Sequence, residues 1–357
     1  MDYELFFEDF FGSRIGQSIF EKFEILLRFN EVDRARVYIP YSQVTVNPLT
    51  NMYRVVIRRN GQILFSGPIL SAIREWNEND LLTLEAAGDL YLLSTRLVVP
   101  VPSGPPYSAA AADVRIGPIE TLLHEYVYYH AGAGAKSERR IPGLTQAADE
   151  GRGQEVTARG RFVPLLSLLQ QLANLGNLGI RMKDLKFEVF EPRDLSSTVF
   201  FGPDFRNLLQ FTHEVSVPNC NYMFVGGGGE GTSRVVFERE NSRSILRWGR
   251  IENWLDRRDT SEISELNNAA EVLLNEQLDL EESLSIVAET SPEEVSPGDL
   301  VSVSFDGHIY QIRVNELQIE FDGLKESVKL SSGTAATPRI YSRVRLIEER
   351  VLKLEVE

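Results

Sequence analysis

Two stretches of the chain, residues 54–88 and 300–333, share one pattern of β-rich runs separated by two-residue turns. Asn60-Gly61 separates the runs in the first stretch, and Asp306-Gly307 separates them in the second. These dipeptides are typical of tight β-hairpins, because both turn residues must take positive φ. Each stretch continues into a second hairpin that ends in small residues and glycine. The residue identities barely match, so the pattern predicts two small β-domains of similar form, one near each end of the chain.

The composition is that of a globular protein with several domains. The 357 residues exceed what one core supports and predict two to four domains. A net charge of -15 disfavours sequence-specific DNA binding and direct binding to anionic lipid, because like charges repel. The single cysteine, Cys220, excludes an intrachain disulfide and suits synthesis in a reducing cytoplasm. No apolar run approaches the ~20 residues of a membrane span, and the acidic N-terminus is unlike a signal peptide.

Changes in the pattern divide the chain into five segments. Gly67-Pro68 predicts a break within the first β-rich stretch, and four prolines within residues 99–112 predict an extended connector. Apolar residues at helical spacing predict helices after Pro118 and Pro164, and a third helix follows a capping box at Asp259 and Glu262. The predicted fold class is α+β and β-rich, with two small β-barrel-like domains flanking an α/β domain and a short C-terminal helix. The predicted domains are a first β-barrel domain at 1–98, a Pro-rich linker at 99–112, a small α/β domain at 113–197, a second β-barrel domain with an inserted helix at 198–337, and a C-terminal coiled-coil helix at 338–357.

Residues 338–357 show a heptad pattern. Apolar residues at alternating spacings of four and three, with charged residues between them, predict a coiled coil with other copies of the chain. A helix of this length is marginal in water by itself, so it needs partners. Leu352, Leu354 and Val356 also alternate as in a strand, which leaves that alternative open. The predicted oligomerisation residues are Ile340, Val344, Ile347, Val351 and Leu354.

The sequence predicts no catalytic, metal or cofactor site. His124-Glu125 resembles the start of a zinc-protease motif, but position 128 is tyrosine, and two ligand histidines must lie at i and i+4 to face one ion. The glycine run at 226–231 leads into a strand, whereas a phosphate-binding loop leads through Gly-Lys-Ser/Thr into a helix. That run therefore predicts close backbone approach or a bulge. We expect a non-enzymatic protein without a cofactor.

Two clusters leave alternatives open. The N-terminal phenylalanines suit either packing in the core or a contact with another subunit; they are Phe6, Phe7, Phe10 and Phe11. Five arginines suit either pairing with nearby acids or an ionic contact with a neighbouring subunit; they are Arg139, Arg140, Arg152, Arg159 and Arg161.

Residues 224–260 combine several motifs. A Gly-Gly-Gly-Gly-Glu-Gly run is followed by Arg247-Trp-Gly-Arg and by Asp256-Arg-Arg-Asp. The combination resembles the tail-tip hub family of long-tailed phages, also called Tal-like or tail-associated hub proteins. Residues 82–96, Arg140-Ile-Pro and residues 160–166 are similar to other parts of that family, so the resemblance covers about residues 23–330. The family-signature residues are Gly226, Gly227, Gly229, Gly231, Trp248, Gly249, Arg250, Asp256 and Asp259.

The resemblance implies a structural baseplate hub at the virion tail tip, assembled in the host cytoplasm as a homotrimer. In such hubs, two barrel-like domains per chain give six quasi-equivalent positions that match a six-fold tail tube. The implied partners are a distal tail protein or tail tube ring, the tape measure protein, and a fibre or tip protein at the C-terminus, with DNA only in transit. Because the chain ends soon after the heptads, we expect no lytic domain. The alternatives are a tail-associated cell-envelope hydrolase and a carbohydrate-binding adaptor that stacks sugars on Trp76, Trp248 or Trp254.

Overall fold

The structure, a computed structural model, describes residues 2–48, 53–76, 80–258 and 260–332, without the side chains of residues 276–283. Asp259 and the five predicted oligomerisation residues, Ile340, Val344, Ile347, Val351 and Leu354, lie outside the described residues. The chain divides into two compact units. Unit 1 contains Met1–Phe201, Glu289–Val303 and Arg313–Leu330, and the remaining residues belong to unit 2.

The secondary-structure elements follow one another in a β-rich order. Residues 3–201 form β1 (Tyr3–Glu8), β2 (Arg14–Ser18), β3 (Lys22–Arg28), β4 (Arg34–Pro40), β5 (Arg54–Arg59), β6 (Gln62–Glu75), β7 (Leu81–Ala87), α1 (Tyr91–Ser94), β8 (Leu97–Val98), β9 (Asp113–Pro118), α2 (Ile119–His130), β10 (Thr145–Gln146), β11 (Glu155–Gly160), β12 (Val163–Pro164), α3 (Leu165–Leu175), β13 (Gly179–Lys183), β14 (Lys186–Phe190) and β15 (Phe200–Phe201). The later elements are β16 (Leu208–Val215), β17 (Tyr222–Gly226), β18 (Val236–Glu240), α4 (Ser242–Trp248), β19 (Glu252–Asp256), α5 (Ile263–Glu281), β20 (Glu282–Glu289), β21 (Leu300–Phe305), β22 (His308–Phe321) and β23 (Glu326–Ser332). In the part of the chain that the structure describes, no helix is long and apolar enough to cross a membrane.

Both predicted hairpins are confirmed, and their strands match in length. β5, β6 and β7 contain 6, 14 and 7 residues, and β21, β22 and β23 contain the same numbers in the same order. The turn residues have almost equal φ angles, with 50° and 78° at Asn60 and Gly61 and 49° and 74° at Asp306 and Gly307. Positive φ at both positions is the geometry that Asn-Gly and Asp-Gly favour. The two stretches are therefore a structural repeat.

The break predicted at Gly67-Pro68 is wrong, because β6 continues through both residues. Gly67 and Pro68 still pair with β5, and β6 pairs with β7 from Ile69 onwards. A Cβ atom on Gly67 would lie 1.8 Å from the carbonyl oxygen of Ala87. The glycine therefore permits close approach of the neighbouring backbone at the point where β6 passes from one partner strand to the next.

The described strands of unit 1 include one large open sheet. Its order is β23, β22, β3, β4, β7, β6, β5, β1 and β2, with β21 beside β22 and β15 beside β21. The predicted β-rich α+β class is confirmed. The predicted barrel closure is not seen among the described residues, because β3 pairs with β22 of the second hairpin and does not return to β6 of its own hairpin.

The helices predicted after Pro118 and Pro164 are present as α2 and α3. They pack on the strands β13 and β14 around a core in which Tyr126, Leu169 and Phe187 have no exposed side-chain surface. Residues 99–112 contain no α-helix or β-strand.

The phenylalanine cluster near the N-terminus is split by β1. Phe6 and Phe7 are buried in the core, whereas Phe10 and Phe11 lie beyond the strand with 49% and 70% of their surface exposed. The core alternative therefore describes the first pair.

In unit 2, strands β17, β18 and β19 form a small sheet with β17 in the centre. The third predicted helix is present as α5, and its stripe of Leu266, Ala270 and Leu274 is buried against Met223 and Val225 of β17. Strand β16 pairs with β20 in an antiparallel ladder.

Candidate assembly site

The first hairpin is fixed at its base by a buried ion pair. Arg54, the first residue of β5, is 1% exposed and directs its Nη2 atom to both carboxylate oxygens of Asp89 at 2.8 Å. Its Nη1 atom lies 2.5 Å from Glu8 of β1. Asp89 also accepts hydrogen bonds from the Ser66 hydroxyl at 2.7 Å and the Leu185 backbone at 3.1 Å. This carboxylate therefore connects the hairpin to the loop between β13 and β14.

The second hairpin has an ion pair at the corresponding place. Here the residue at the start of the hairpin is the acid, and its partner is the arginine. Asp299, one residue before β21, is 3% exposed and lies 2.5 Å from Nη2 of Arg193. The Ser296 backbone donates to the same carboxylate at 2.7 Å, and the Asp299 carbonyl accepts from Val314 of β22 at 2.8 Å. Hydrogen bonding to Asp299 raises the pKa of Arg193. Both hairpins thus start at a charged group that is held in place, and sequence reasoning missed both pairs.

The predicted signature glycines let other groups approach the end of β17. A Cβ atom on Gly226 would lie 2.3 Å from the Trp254 ring, and one on Gly227 would lie 2.9 Å from the carbonyl oxygen of Thr260. Gly227 also pairs through its backbone with Val235, at 2.8 Å. Gly229 and Gly231 have positive φ, 102° and 53°. The close backbone approach that the sequence predicted for this run is confirmed.

The segment Trp248-Gly249-Arg250 is held through Gly249 by a buried asparagine that the sequence did not indicate. The side chain of Asn221, 1% exposed, donates to the Gly249 carbonyl at 2.8 Å and accepts from the Ile251 backbone at 2.8 Å. Gly249 ends α4 with a φ of 76°, and Trp248 is the last residue of that helix. The Arg250 guanidinium lies 3.4 Å from the centre of the Tyr222 ring, a cation–π contact. The Trp-Gly-Arg segment is therefore a helix end that Asn221 ties to β17.

Asp256, at the end of β19, forms ion pairs with two arginines. One partner is Arg234, whose guanidinium also donates to the Gly227 carbonyl at 2.9 Å, and the other is Arg258, at 3.1 Å. Arg234 lies 5.0 Å from the centre of the Trp254 ring. Gly226, Gly227, Arg234, Trp254 and Asp256 therefore form one connected set of contacts at the end of β17.

The histidines of α2 have ordinary structural contacts. His130 is buried, and its Nε2 lies 2.7 Å from Asp113, while burial lowers the pKa of the imidazole. His124 lies 2.7 Å from the side-chain amide of Gln146. Within the described ranges, no group of three or more His, Cys, Asp or Glu side chains could hold a metal ion. Cys220 is buried.

Three solved structures share the fold of this chain. The 43 kDa tail protein of prophage MuSo2 from Shewanella oneidensis has a TM-score of 0.63 at 10% identity, covering 93% of this chain and 98% of that chain. The tail protein from Neisseria meningitidis MC58 has a TM-score of 0.60 at 15% identity, covering 94% and 98%. Prophage tail protein gp18 from Listeria monocytogenes EGD-e has a TM-score of 0.57 at 9% identity, covering 97% and 98%.

No curated protein is similar in sequence to the chain. The model of the Siphovirus ReqiPepy6 Gp37-like protein family, in contrast, matches residues 13–334. The predicted resemblance to phage tail proteins is thus confirmed by family and by fold. The chain belongs to the family of Siphovirus ReqiPepy6 Gp37-like proteins.

Proposed function

We propose that this protein is a structural, non-enzymatic hub at the tip of a phage tail, located in the virion. Three copies form a homotrimer that docks on the six-fold tail tube, closes its distal end and opens for genome delivery. One observation carries this proposal: the two hairpin triplets of 6, 14 and 7 residues. Two copies of one β module in each of three chains give six similar positions, which is the number that a six-fold ring requires.

The anchored bases of the hairpins support a docking role. Arg54 with Asp89 and Asp299 with Arg193 fix the first strand of each hairpin to the body of unit 1. Arg54, Asp89 and Asp299 are buried, whereas the side chain of Arg193 is 51% exposed. A buried, hydrogen-bonded charge holds one geometry, because any other arrangement leaves it without its partner. Both hairpins can therefore present their strands in a fixed orientation to a ring of tail proteins.

We retain the predicted domain division as part of the proposal. In it, residues 1–98 and 198–337 are the tube-docking β-domains, residues 113–197 are an inserted α/β domain after the linker at 99–112, and residues 338–357 form a terminal bundle. The oligomerisation residues of that bundle are Ile340, Val344, Ile347, Val351 and Leu354. The signature residues around β17 serve as packing elements, and the C-terminal end receives a fibre or tip protein.

The acidic charge supports a channel that does not retain DNA. A trimer of chains with a net charge of -15 carries -45 in total. An acidic lumen wall repels phosphate, so DNA passes without being bound. The proposed protein partners are a distal tail protein or tail tube ring and the tape measure protein.

The mass of the purified protein in solution tests the trimer. Native mass spectrometry and light scattering should give three times the mass of the 40.3 kDa chain, and particle images along the axis should show three-fold symmetry. A monomer at high concentration, or a dimer about a two-fold axis, contradicts the hub. A cell-wall clearing assay separates the hub from the hydrolase alternative, because a hub clears nothing.

A further inference from the structure

Besides its hairpin strands, the first module includes β3 and β4, and the second module includes β16 and β20. The repeat places β3 and β16 in corresponding positions. In the first module, β7 lies between β6 and β4, and β4 carries β3 on its other edge. In the second module, the N–H of Thr290, the residue after β20, donates to the Val328 carbonyl of β23 at 3.2 Å, and β20 pairs with β16. β16 is the terminal strand of its sheet. Each module therefore ends in a strand at the same topological position.

Among the described residues, only one of these two terminal strands, β3, pairs with the neighbouring module. β3 pairs in antiparallel fashion with residues 316–321, the second half of β22. Counted from the hairpin turn, the corresponding half of β6 is residues 70–75. Those residues pair with β7, whereas the ladder of β5 ends at Pro68, so their other edge carries no paired strand among the described residues. The chain thus contains one complete strand pairing between modules, β3 with β22. It also contains the two strands that a second pairing of this kind requires, β16 and residues 70–75 of β6.

The exposed surfaces fit this correspondence. Ile319 of β22 lies opposite Ile25 of β3 and is 0% exposed. Ile73 occupies the same position in β6 and is 47% exposed, with Leu70 at 44% close by. On β16, Leu209 is 52% exposed. Apolar side chains at unpaired strand edges favour the addition of another strand.

We propose that β16 of one chain pairs in antiparallel fashion with residues 70–75 of a second copy of this chain, and so on around the trimer. The inference rests on the proposed trimeric hub and names its subunit junction. Within each chain the junction of modules is β3 with β22, and between chains it is β16 with β6, so all six modules are joined by the same kind of ladder. In this arrangement the sheets that are open in a single chain continue from one copy to the next.

The register of the intermolecular ladder follows from the ladders within the chain. Leu82 of β7 and Val328 of β23 are buried residues at the same distance along the chain from the two hairpin turns, and their partners are Ile39 and Thr290. Ala35 lies four residues before Ile39, and Ile286 lies four residues before Thr290. Ala35 pairs with Ile25 of β3, and Ile286 pairs with Phe211 of β16.

Phe211 therefore corresponds to Ile25, and the partner of Ile25 corresponds to Ile73. This predicts Ile73 opposite Phe211 and, one residue away in each strand, Ala72 opposite Thr212. Phe29 and Asn315 form a hydrogen-bonded pair in the ladder within the chain. Hydrogen-bonded and non-hydrogen-bonded pairs alternate along an antiparallel ladder, so the pair equivalent to Ala72 and Thr212 is not hydrogen-bonded. Non-hydrogen-bonded antiparallel pairs place Cα atoms about 4.5 Å apart, which is within disulfide reach.

Disulfide formation in the full chain tests the junction. The double variant A72C/T212C, oxidised after purification, should run as a covalent trimer in non-reducing gels, and reduction should return it to the single chain. Neither single variant should form the covalent trimer, and this controls for disulfides made by Cys220. The matched control A72C/Q210C places its cysteines diagonally, about 7–8 Å apart, and should cross-link at least tenfold less.

A second pair of variants tests the same junction without cysteines. I73K should raise the concentration at which half of the chains associate by about 10- to 100-fold, because a charge replaces an isoleucine that the junction buries. I309K is the matched control, since Ile309 is also exposed, at 67%, but lies outside the proposed ladder. It should leave association within twofold of the unmodified chain.

The outcomes separate the junction from the hub. A trimer in which A72C/T212C cross-links no more than its control overturns the junction and leaves the trimeric hub standing. A chain that stays monomeric at high concentration overturns both. If the double-cysteine chain does not accumulate, equal association of I73K and I309K overturns the junction by itself.

Discussion

Replacing Arg54 by methionine removes the cation at the base of the first hairpin. Asp89 is 0% exposed and Glu8 is 12% exposed, so the substitution leaves two carboxylates with little access to water. Removing one partner of a buried ion pair typically costs about 3–5 kcal/mol, because the other charge stays buried without compensation. We expect R54M to lose that amount of free energy of unfolding. With a urea dependence of about 2–3 kcal/mol per molar, this corresponds to a midpoint about 1–2 M lower.

The matched control is the exposed pair of Arg36 and Glu85. Its N–O distance is also 2.8 Å, but its side chains are 49% and 45% exposed. R36M should barely move the urea midpoint, because surface ion pairs are screened by solvent. Both variants are unfolded at one protein concentration, followed by circular dichroism, so that association contributes equally to each.

A double variant checks that the loss comes from the unpaired charge. In R54M/D89N the amide keeps the shape of Asp89 without its charge, so part of the lost stability should return. If R54M moves the midpoint no more than R36M does, the ion pair does not fix the hairpin. If R54M and D89N add without coupling, the two groups do not act as a pair.

Three further substitutions test other parts of the structure. G227A should lower the free energy of unfolding by about 1–3 kcal/mol, because the new methyl group meets the Thr260 carbonyl, and thermal melting measures it. N221L should cost about 2–4 kcal/mol, since the carbonyl of Gly249 and the backbone N–H of Ile251 lose their partner; an unchanged melting temperature would contradict this. Burial raises the pKa of Asp33 from 3.8 to about 6, so its protonated form is favoured in the folded state. Stability from this group is therefore present below about pH 4 and is lost as pH rises to about 6. D33N should remove up to about 3 kcal/mol of that pH dependence, and parallel pH profiles for the two proteins would contradict the assignment.

Local turn chemistry made the hairpins predictable. Asn60-Gly61 and Asp306-Gly307 specify their geometry through φ alone, so no distant contact is needed to recognise them. The leucines of α3 likewise carry their spacing in the sequence. The Gly67-Pro68 break failed because glycine there serves a contact with Ala87, which follows it by twenty residues and belongs to another strand.

The groups that fix the site could not be read from the sequence. Arg54 stands in a run with Arg58 and Arg59, and nothing local distinguishes the buried arginine from the others. Asn221 precedes β17 as an ordinary polar residue, yet its side-chain hydrogen bonds to Gly249 and Ile251 depend on the end of α4. The pairing of β3 with β22 joins residues nearly three hundred positions apart, which no periodicity reveals.

The equal lengths of β6 and β22 have a consequence for how this chain tolerates change. The sequences of these two strands differ at most positions, so side chains are replaceable as long as each strand keeps its span. Inserting or deleting one residue in either strand would instead displace everything beyond it by about 3.3 Å and turn the following side chains to the opposite face. Such a change would put one half of the molecule out of step with the other, whereas many substitutions would not.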